Sequence, residues 1–450
     1  MTNVSFSNNG IQKPAGQKSN LYPIIIIGIL FFVFGFVTWL NGTLIPFLKL
    51  ACELNTSQAL LVTFAFYMAY FFLAIPSSYI LKLTGFKNGM SLGLFIMALG
   101  ALVFIPAANT REFSLFLAGL FIQGMGLALL QTASNPYISV LGPIESAAQR
   151  ISIMGICNKI AGVLSPLILS ALVLKGAQAL ENQVKTITDH AEKVVLLDEL
   201  AQRVILPYII MAAVLVLLGI MIRFSSLPEI NTNEEEVDES GNRVAGKSSV
   251  FQYRNLTLGV LCIFLYVGVE VMAGDVIGTY GKSLGMSLDQ TKIFTSYTLV
   301  SMVIGYIIGI IAIPRYIKQE TALMLSAVIG IAFTIAAFLT TGFTSIVFIA
   351  LLGLANSLMW PAIFPLAIKG LGKFTKIGSA LLVMGIAGGA VLPQIYARLE
   401  TSMSPQSAFL YSMLPCYLYI LYYAIAGHKS KTVQGYVVKP ALNPIEKISV

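Results

Sequence analysis

Charged side chains are scarce: Asp, Glu, Lys and Arg make up 11% of the 450 residues, against roughly 25% in soluble globular domains. With 57% hydrophobic residues and a mean hydropathy of +0.83, that shortage excludes a water-soluble enzyme and places the chain in lipid. The 27 Phe and 19 Tyr, set against so little charge, exclude a disordered chain as well. Histidine occurs twice, His190 and His428, both outside the apolar runs. Cysteine occurs four times, as Cys52, Cys157, Cys262 and Cys416, far apart and without a C-x-x-C pair. So dispersed, these residues form no metal-ligand spacing or catalytic set; no cofactor is expected, and a membrane-embedded enzyme is disfavoured. The net charge of +8 is not gathered into a basic patch, so no nucleic-acid partner is expected.

What the chain does have is long apolar runs. A hydrocarbon core of about 30 Å takes about 20 apolar residues to cross as a helix. Runs bounded by charge or by Gly, Pro and Asn predict twelve spans. The first six cover 22–48, 57–83, 89–108, 112–140, 151–174 and 204–223; the last six cover 255–281, 289–314, 320–340, 344–368, 375–397 and 405–427. The first run, from Tyr22, has no small-residue cleavage site and reads as a retained anchor. The fold class is therefore an all-α integral membrane protein with twelve transmembrane helices in two pseudo-symmetric six-helix halves.

The divisions follow. Residues 1–21 form an N-terminal tail, 22–223 the first bundle, 224–253 a polar linker carrying Glu234, Glu235, Glu236, Asp238 and Glu239, 254–427 the second bundle, and 428–450 a C-terminal tail. A second polar insertion, 176–203, reads as a solvated, partly helical loop between spans five and six. Of the 28 Lys and Arg residues, 18 fall on the side that holds the termini and nine on the other. By the positive-inside rule both termini are expected in the cytoplasm. The halves echo one another: Gly126-Leu-Ala-Leu-Leu-Gln-Thr-Ala-Ser-Asn-Pro136 in span four and Gly353-Leu-Ala-Asn-Ser-Leu-Met-Trp-Pro361 in span ten both open on Gly and close on Pro. Such internal repetition is a mark of transporters, and the layout resembles the major facilitator superfamily.

Polar side chains at bilayer depth are costly and mark function by default. They cluster on few spans: Trp39 and Asn41 in the first, Gln131 and Asn135 in the fourth, Asn158 and Lys159 in the fifth, Glu270 and Asp275 in the seventh, Asn356 and Trp360 in the tenth. Neutral amides that donate and accept, beside Trp, suit a ligand of hydroxyls and C–H faces, which is a sugar. For Gln131 and Asn135 the alternative is inter-helix hydrogen bonding; for Trp39 and Trp360 it is the interfacial aromatic belt. Lys159 needs a carboxylate, and Glu270 and Asp275 are the two available at depth. Five residues apart, those two are about 140° round a helix and cannot point the same way.

At these residues the chain resembles the fucose permease branch of the major facilitator superfamily, which includes fucose, glucose/galactose and N-acetylglucosamine transporters. The matching stretches are Leu40-Asn-Gly-Thr-Leu-Ile-Pro46, Leu130-Gln-Thr-Ala-Ser-Asn-Pro-Tyr137 with Val140-Leu-Gly142, Tyr266-Val-Gly-Val-Glu270, Gly353 to Pro361, and Gly378-Ser, Met384-Gly-Ile-Ala-Gly-Gly-Ala390 and Pro393. The resemblance implies uptake of a monosaccharide with a cation, H+ or Na+, by alternating access, in a monomer of the bacterial cytoplasmic (inner) membrane. The polar residues at bilayer depth supply the candidates for these roles: Asn41, Gln131, Asn135, Asn158, Asn356, Trp39 and Trp360 for substrate binding, and Glu270, Asp275 and Lys159 for cation coupling. Two departures qualify the resemblance. Gly42 stands where the family pattern L-N-D has an acid, and Gln131 stands where proton-coupled fucose permeases have a glutamate. Glucose, galactose or N-acetylglucosamine is thereby favoured over fucose, and coupling falls to Glu270 or Asp275, to sodium, or gives way to uniport. A drug-exporting member of the superfamily is the remaining alternative, and it predicts a more apolar cavity.

Overall fold

The computed structural model describes residues 21–140, 147–187, 189–227, 249–313, 316–371 and 374–429. The N-terminal tail, the acidic run of the linker, the C-terminal tail beyond 429 and the Leu141-Gly142 end of the fourth-span motif lie outside the described residues. Within them, eleven helical stretches are long and apolar enough to cross a membrane. One of these, Thr56–Thr110, has 55 residues, roughly 80 Å at the helical rise, more than twice the hydrocarbon thickness. At Gly85 the backbone leaves helical geometry, with φ 76° and ψ 170°. Glycine takes that conformation without steric cost, so the stretch is two spans joined by a tight turn at the break predicted between 83 and 89. Twelve spans result.

Spans are numbered here in chain order. Span 1 is interrupted at Leu40 into Leu21–Trp39 and Asn41–Ala51. Spans 2 and 3 lie on either side of Gly85, span 4 is Phe113–Val140 and span 5 is Ala147–Val173. Span 6 is Ile205–Phe224, span 7 Arg254–Gly274, span 8 Phe294–Ala312 and span 9 Gln319–Leu339. Span 10 joins Gly342–Asn356 to Met359–Ile368, span 11 joins Thr375–Met384 to Gly388–Glu400, and span 12 begins with Pro405–Tyr422. Between the halves, span 2 packs on span 11 and span 5 on span 8. Exchanging each span for its counterpart in the other half, 2 for 8 and 11 for 5, turns one pair into the other, so the two interfaces are pseudo-symmetry mates.

Large apolar side chains such as Leu99, Leu172, Leu217, Ile311 and Leu339 remain more than half exposed, which in water would be an aggregation surface and in lipid is the bilayer-facing belt. Cys262 and Cys416 are buried, and all four cysteines are free. Among the described residues no group of His, Cys, Asp and Glu has metal-binding geometry.

The insertion 176–203 is more ordered than a solvated loop. It forms two helices, Ala177–Thr186 and His190–Gln202. The second is tied to the N-terminal half by the Lys193–Glu53 ion pair and by Arg111 Nε with Asp198 Oδ1 at 3.5 Å. The first reaches the C-terminal half: Lys282 Nζ meets Glu181 Oε2 at 2.9 Å, and the Leu288 amide donates to Gln178 Oε1 at 2.7 Å. The insertion therefore straps the halves together on the face opposite the termini.

Candidate functional site: a polar cavity between the halves

A cavity of about 130 Å³ lies where spans 1, 2, 4 and 5 of the first half meet spans 7, 8, 10 and 11 of the second. A larger recess of about 450 Å³ beside Gln178, Glu181 and Lys282 is an open depression of the surface strap and holds none of the deep polar residues.

The break at Leu40 sets the floor. It ends the first helix at Trp39, whose ring is 2% exposed and wedged between glycines of both halves. A Cβ at Gly162 of span 5 or at Gly274 of span 7 would run into that ring. Trp39 Nε1 donates to Asn158 Oδ1 at 3.5 Å, and Asn158 Nδ2 donates in turn to the Phe31 carbonyl at 3.4 Å. Across the cavity Trp360 stacks on Phe364, with centroids 5.7 Å apart, and tilts against Tyr266 at 6.4 Å. The belt alternative is thus set aside for both tryptophans.

Beside Trp39 stands the ion pair. Lys159 Nζ donates to Glu270 Oε1 at 2.8 Å, with side-chain exposures of 8% and 11%. The same ammonium sits 4.3 Å from the Trp39 ring centroid, a cation–π contact strengthened by desolvation. The pair spans the two halves, from span 5 to span 7. Deep burial makes it costly to break: removing one partner of such a pair costs about 3–5 kcal/mol, because an uncompensated charge is left behind.

On the N-terminal side Gln131 Nε2 donates to the Tyr70 hydroxyl at 3.0 Å, and Asn135, one turn on, also lines the cavity. Of the sequence-predicted residues, Trp39, Gln131, Asn135, Asn158, Lys159, Glu270 and Trp360 are therefore brought together. Three are not. Asn356 is fully buried against span 12, where its Oδ1 accepts from the Tyr417 hydroxyl at 2.8 Å. Asn41 lies 1% exposed just past the break, with neither amide atom hydrogen-bonded. Asp275 is fully buried behind Tyr67, whose hydroxyl donates to Oδ2 at 3.2 Å. Conversely, Tyr67, Tyr70, Tyr266 and Tyr306 line the cavity without having been singled out. The three-residue spacing of Tyr67 and Tyr70, and the four-residue spacing of Tyr266 and Glu270, put each pair on one helix face and were the signal available.

The sequence profile of the Major Facilitator Superfamily matches residues 27–393. The chain belongs to that superfamily. A glucose/galactose transporter of Brucella abortus biovar 1 (strain 9-941) is 33% identical over 432 residues, covering 95% of this chain and 100% of its own length. The L-fucose-proton symporter of Escherichia coli (strain K12) is 30% identical over 392 residues, covering 86% of this chain and 89% of its own. Among solved structures, FucP, a transporter of the same superfamily captured in the outward conformation, superposes with a TM-score of 0.71 at 28% identity, covering 90% of this chain and 99% of that one. The fucose permease and glucose/galactose branch of the superfamily is where this chain stands, among transporters rather than enzymes.

Proposed function

We propose that this protein takes up a monosaccharide together with a cation by alternating access, with glucose, galactose or N-acetylglucosamine preferred to fucose. The observation that carries the reading is the Lys159–Glu270 pair, which joins the halves inside a cavity walled by amides and aromatic rings. Amides satisfy sugar hydroxyls, and tryptophan and tyrosine faces cover the C–H surface of the ring. Gln131, Asn135 and Asn158 supply the hydrogen bonds, and Trp39 and Trp360 the faces. The named functions of the relatives, glucose/galactose transport and fucose–proton symport, support the same substrate class.

Coupling follows from the pair's position. With Glu270 ionised, Lys159 holds the two halves in register. A proton on Glu270, or a cation beside it, cancels that attraction and releases Lys159 to the substrate and to the moving half. Lys159 and Glu270 form the centre of this mechanism, with Asp275 as a further acidic member. The polar cavity disfavours a drug exporter, while the absence of acids at positions 42 and 131 keeps uniport as the second reading. The excess of Lys and Arg on the side of the termini supports a cytoplasmic location for both tails, with the protein in the bacterial inner membrane as a monomer.

The test is uptake of labelled glucose, galactose, N-acetylglucosamine and fucose into proteoliposomes under an inward proton gradient and, separately, an inward sodium gradient. Accumulation under one gradient alone establishes symport and names the ion. Equilibration without accumulation under either establishes uniport, and movement of none of the four sugars overturns the substrate class.

A further inference from the structure

Glu270 faces the cavity; Asp275, five residues on, does not. Asp275 is the first residue past the span 7 helix and is 0% exposed. One carboxylate oxygen, Oδ2, accepts from Tyr67 of the opposite half at 3.2 Å, and the other, Oδ1, has no hydrogen-bond partner. The backbone amide of Gly42, on span 1, lies against the same carboxyl group. Gly42 is itself packed without room for a side chain: a Cβ there would run into the Thr295 hydroxyl of span 8. That hydroxyl is fixed by donating to the Gly274 carbonyl at 2.8 Å. Spans 1 and 2 of one half and spans 7 and 8 of the other thus meet at a single point.

We infer that Asp275, held between Tyr67 and the Gly42 backbone, is a proton-carrying latch that registers closure of the face opposite the termini rather than occupancy of the cavity. The inference rests on the symport reading above. Charges on the neighbouring elements do not neutralise Asp275. Lys159 of span 5 is already engaged by Glu270 at 2.8 Å, and Glu270 on its own helix is a like charge. Tyr67 of span 2 is neutral. Lys49 lies about two turns beyond Gly42 on span 1. Tyr280 is hydrogen-bonded to Ser345, and Lys282 is taken up by Glu181 on the strap. Span 8 contributes only the uncharged Thr295. A full negative charge that meets only the Tyr67 hydroxyl and the Gly42 amide, with no cation beside it, is expensive out of water. Closure is therefore accompanied by uptake of one proton, on Oδ1, converting carboxylate to carboxylic acid while Oδ2 keeps its bond from Tyr67. Opening separates Tyr67 and Gly42 from Asp275, admits water and releases that proton to the solution on that face.

The experiment measures exchange of labelled glucose and galactose by the full chain in proteoliposomes across pH 6 to 9, for wild type, Asp275→Asn, Asp275→Glu and Tyr67→Phe. Gradient-driven accumulation by Glu270→Gln is measured in parallel. Exchange by wild type is expected to decline toward alkaline pH as the latch fails to reload. Asp275→Asn, which mimics the protonated acid, should lose that decline, and Asp275→Glu should restore it. Tyr67→Phe should move its midpoint toward higher pH by about one unit, because a hydrogen bond to the charged form is removed. Wild-type pH profiles in both Asp275→Asn and Tyr67→Phe overturn the latch. If Asp275→Asn is not inserted, the Tyr67→Phe profile decides alone. Loss of accumulation in Glu270→Gln alongside unchanged profiles leaves the symport reading standing and removes the latch. Undiminished accumulation in Glu270→Gln removes the coupling assignment itself.

Discussion

Lys159 Nζ and Glu270 Oε1 meet at 2.8 Å across the seam between the halves, and the face of Trp39 covers the same ammonium. A charge pair placed there is poorly suited to simple stabilisation, since well-packed apolar residues in its place are often at least as stable. Its location in the cavity wall makes it responsive to whatever enters.

Replacing one partner should therefore hurt more than replacing both. Lys159→Met should lower the stability of the detergent-solubilised protein by about 3–5 kcal/mol, read as a fall in Tm. Lys159→Met with Glu270→Leu should recover most of it while abolishing coupled uptake. Equal Tm values for the single and double variants would show that the pair is not energetically linked.

Gln131 and Asn356 should separate binding from architecture. Gln131→Ala is expected to weaken sugar affinity about tenfold, equivalent to roughly 1.4 kcal/mol. Asn356→Ala strands the buried Tyr417 hydroxyl and should cost about 1–3 kcal/mol of stability, with affinity within twofold of wild type. Isothermal titration and thermal unfolding on the same preparations check both, and a large affinity loss in Asn356→Ala would return that residue to the cavity.

The difference between those two amides marks where sequence reading reached its limit. Span number, span ends and the Gly85 break were legible because twenty-residue apolar runs and glycine have few interpretations. That Lys159 needs a carboxylate was legible too, because a lone ammonium in lipid has few possible partners, but the choice of Glu270 over Asp275 came from the structure. The facing of individual residues was not legible. Asn356 and Asn135 sit in matching segments of repeated halves, yet one turns to Tyr417 of a neighbouring span and the other to the cavity. Helical periodicity assigns residues to a face; it does not say whether that face meets another helix or a cavity. The cavity tyrosines were hidden among 19 in an aromatic-rich chain.

The Gly42–Thr295 contact predicts a steric lock. Gly42→Ala should obstruct closure at this point and lower transport at least tenfold without reducing membrane insertion, while Thr295→Gly in the same chain should restore a substantial part by clearing the obstructing side chain. Transport rates normalised to protein in the membrane measure this; no rescue by the second substitution would refute the contact as the cause.

The strap offers a reversible perturbation. Glu181→Lys should destabilise the closed face by up to about 1 kcal/mol, as expected for a partly exposed pair, and Glu181→Lys with Lys282→Glu should restore it. Single-molecule distances between dyes on Asn55→Cys and Ser402→Cys, both exposed positions, report the populations of closed and open molecules. Burial pushes the native Cys52 thiol up to about 11, so it competes little with the introduced thiols at neutral pH. Rising salt should imitate Glu181→Lys in part, because the pair is outside the membrane and screened.

The chain contains two tryptophans, and both line the cavity. Excited at wavelengths too long for its 19 tyrosines to absorb, the protein therefore emits from the cavity wall alone. Trp39 rests on the ammonium of Lys159 and is clasped by glycines from both halves, so the breaking of the ion pair and the parting of the halves alter its surroundings together. The native protein is its own optical gauge, needing no attached dye to reveal when the cavity fills or opens.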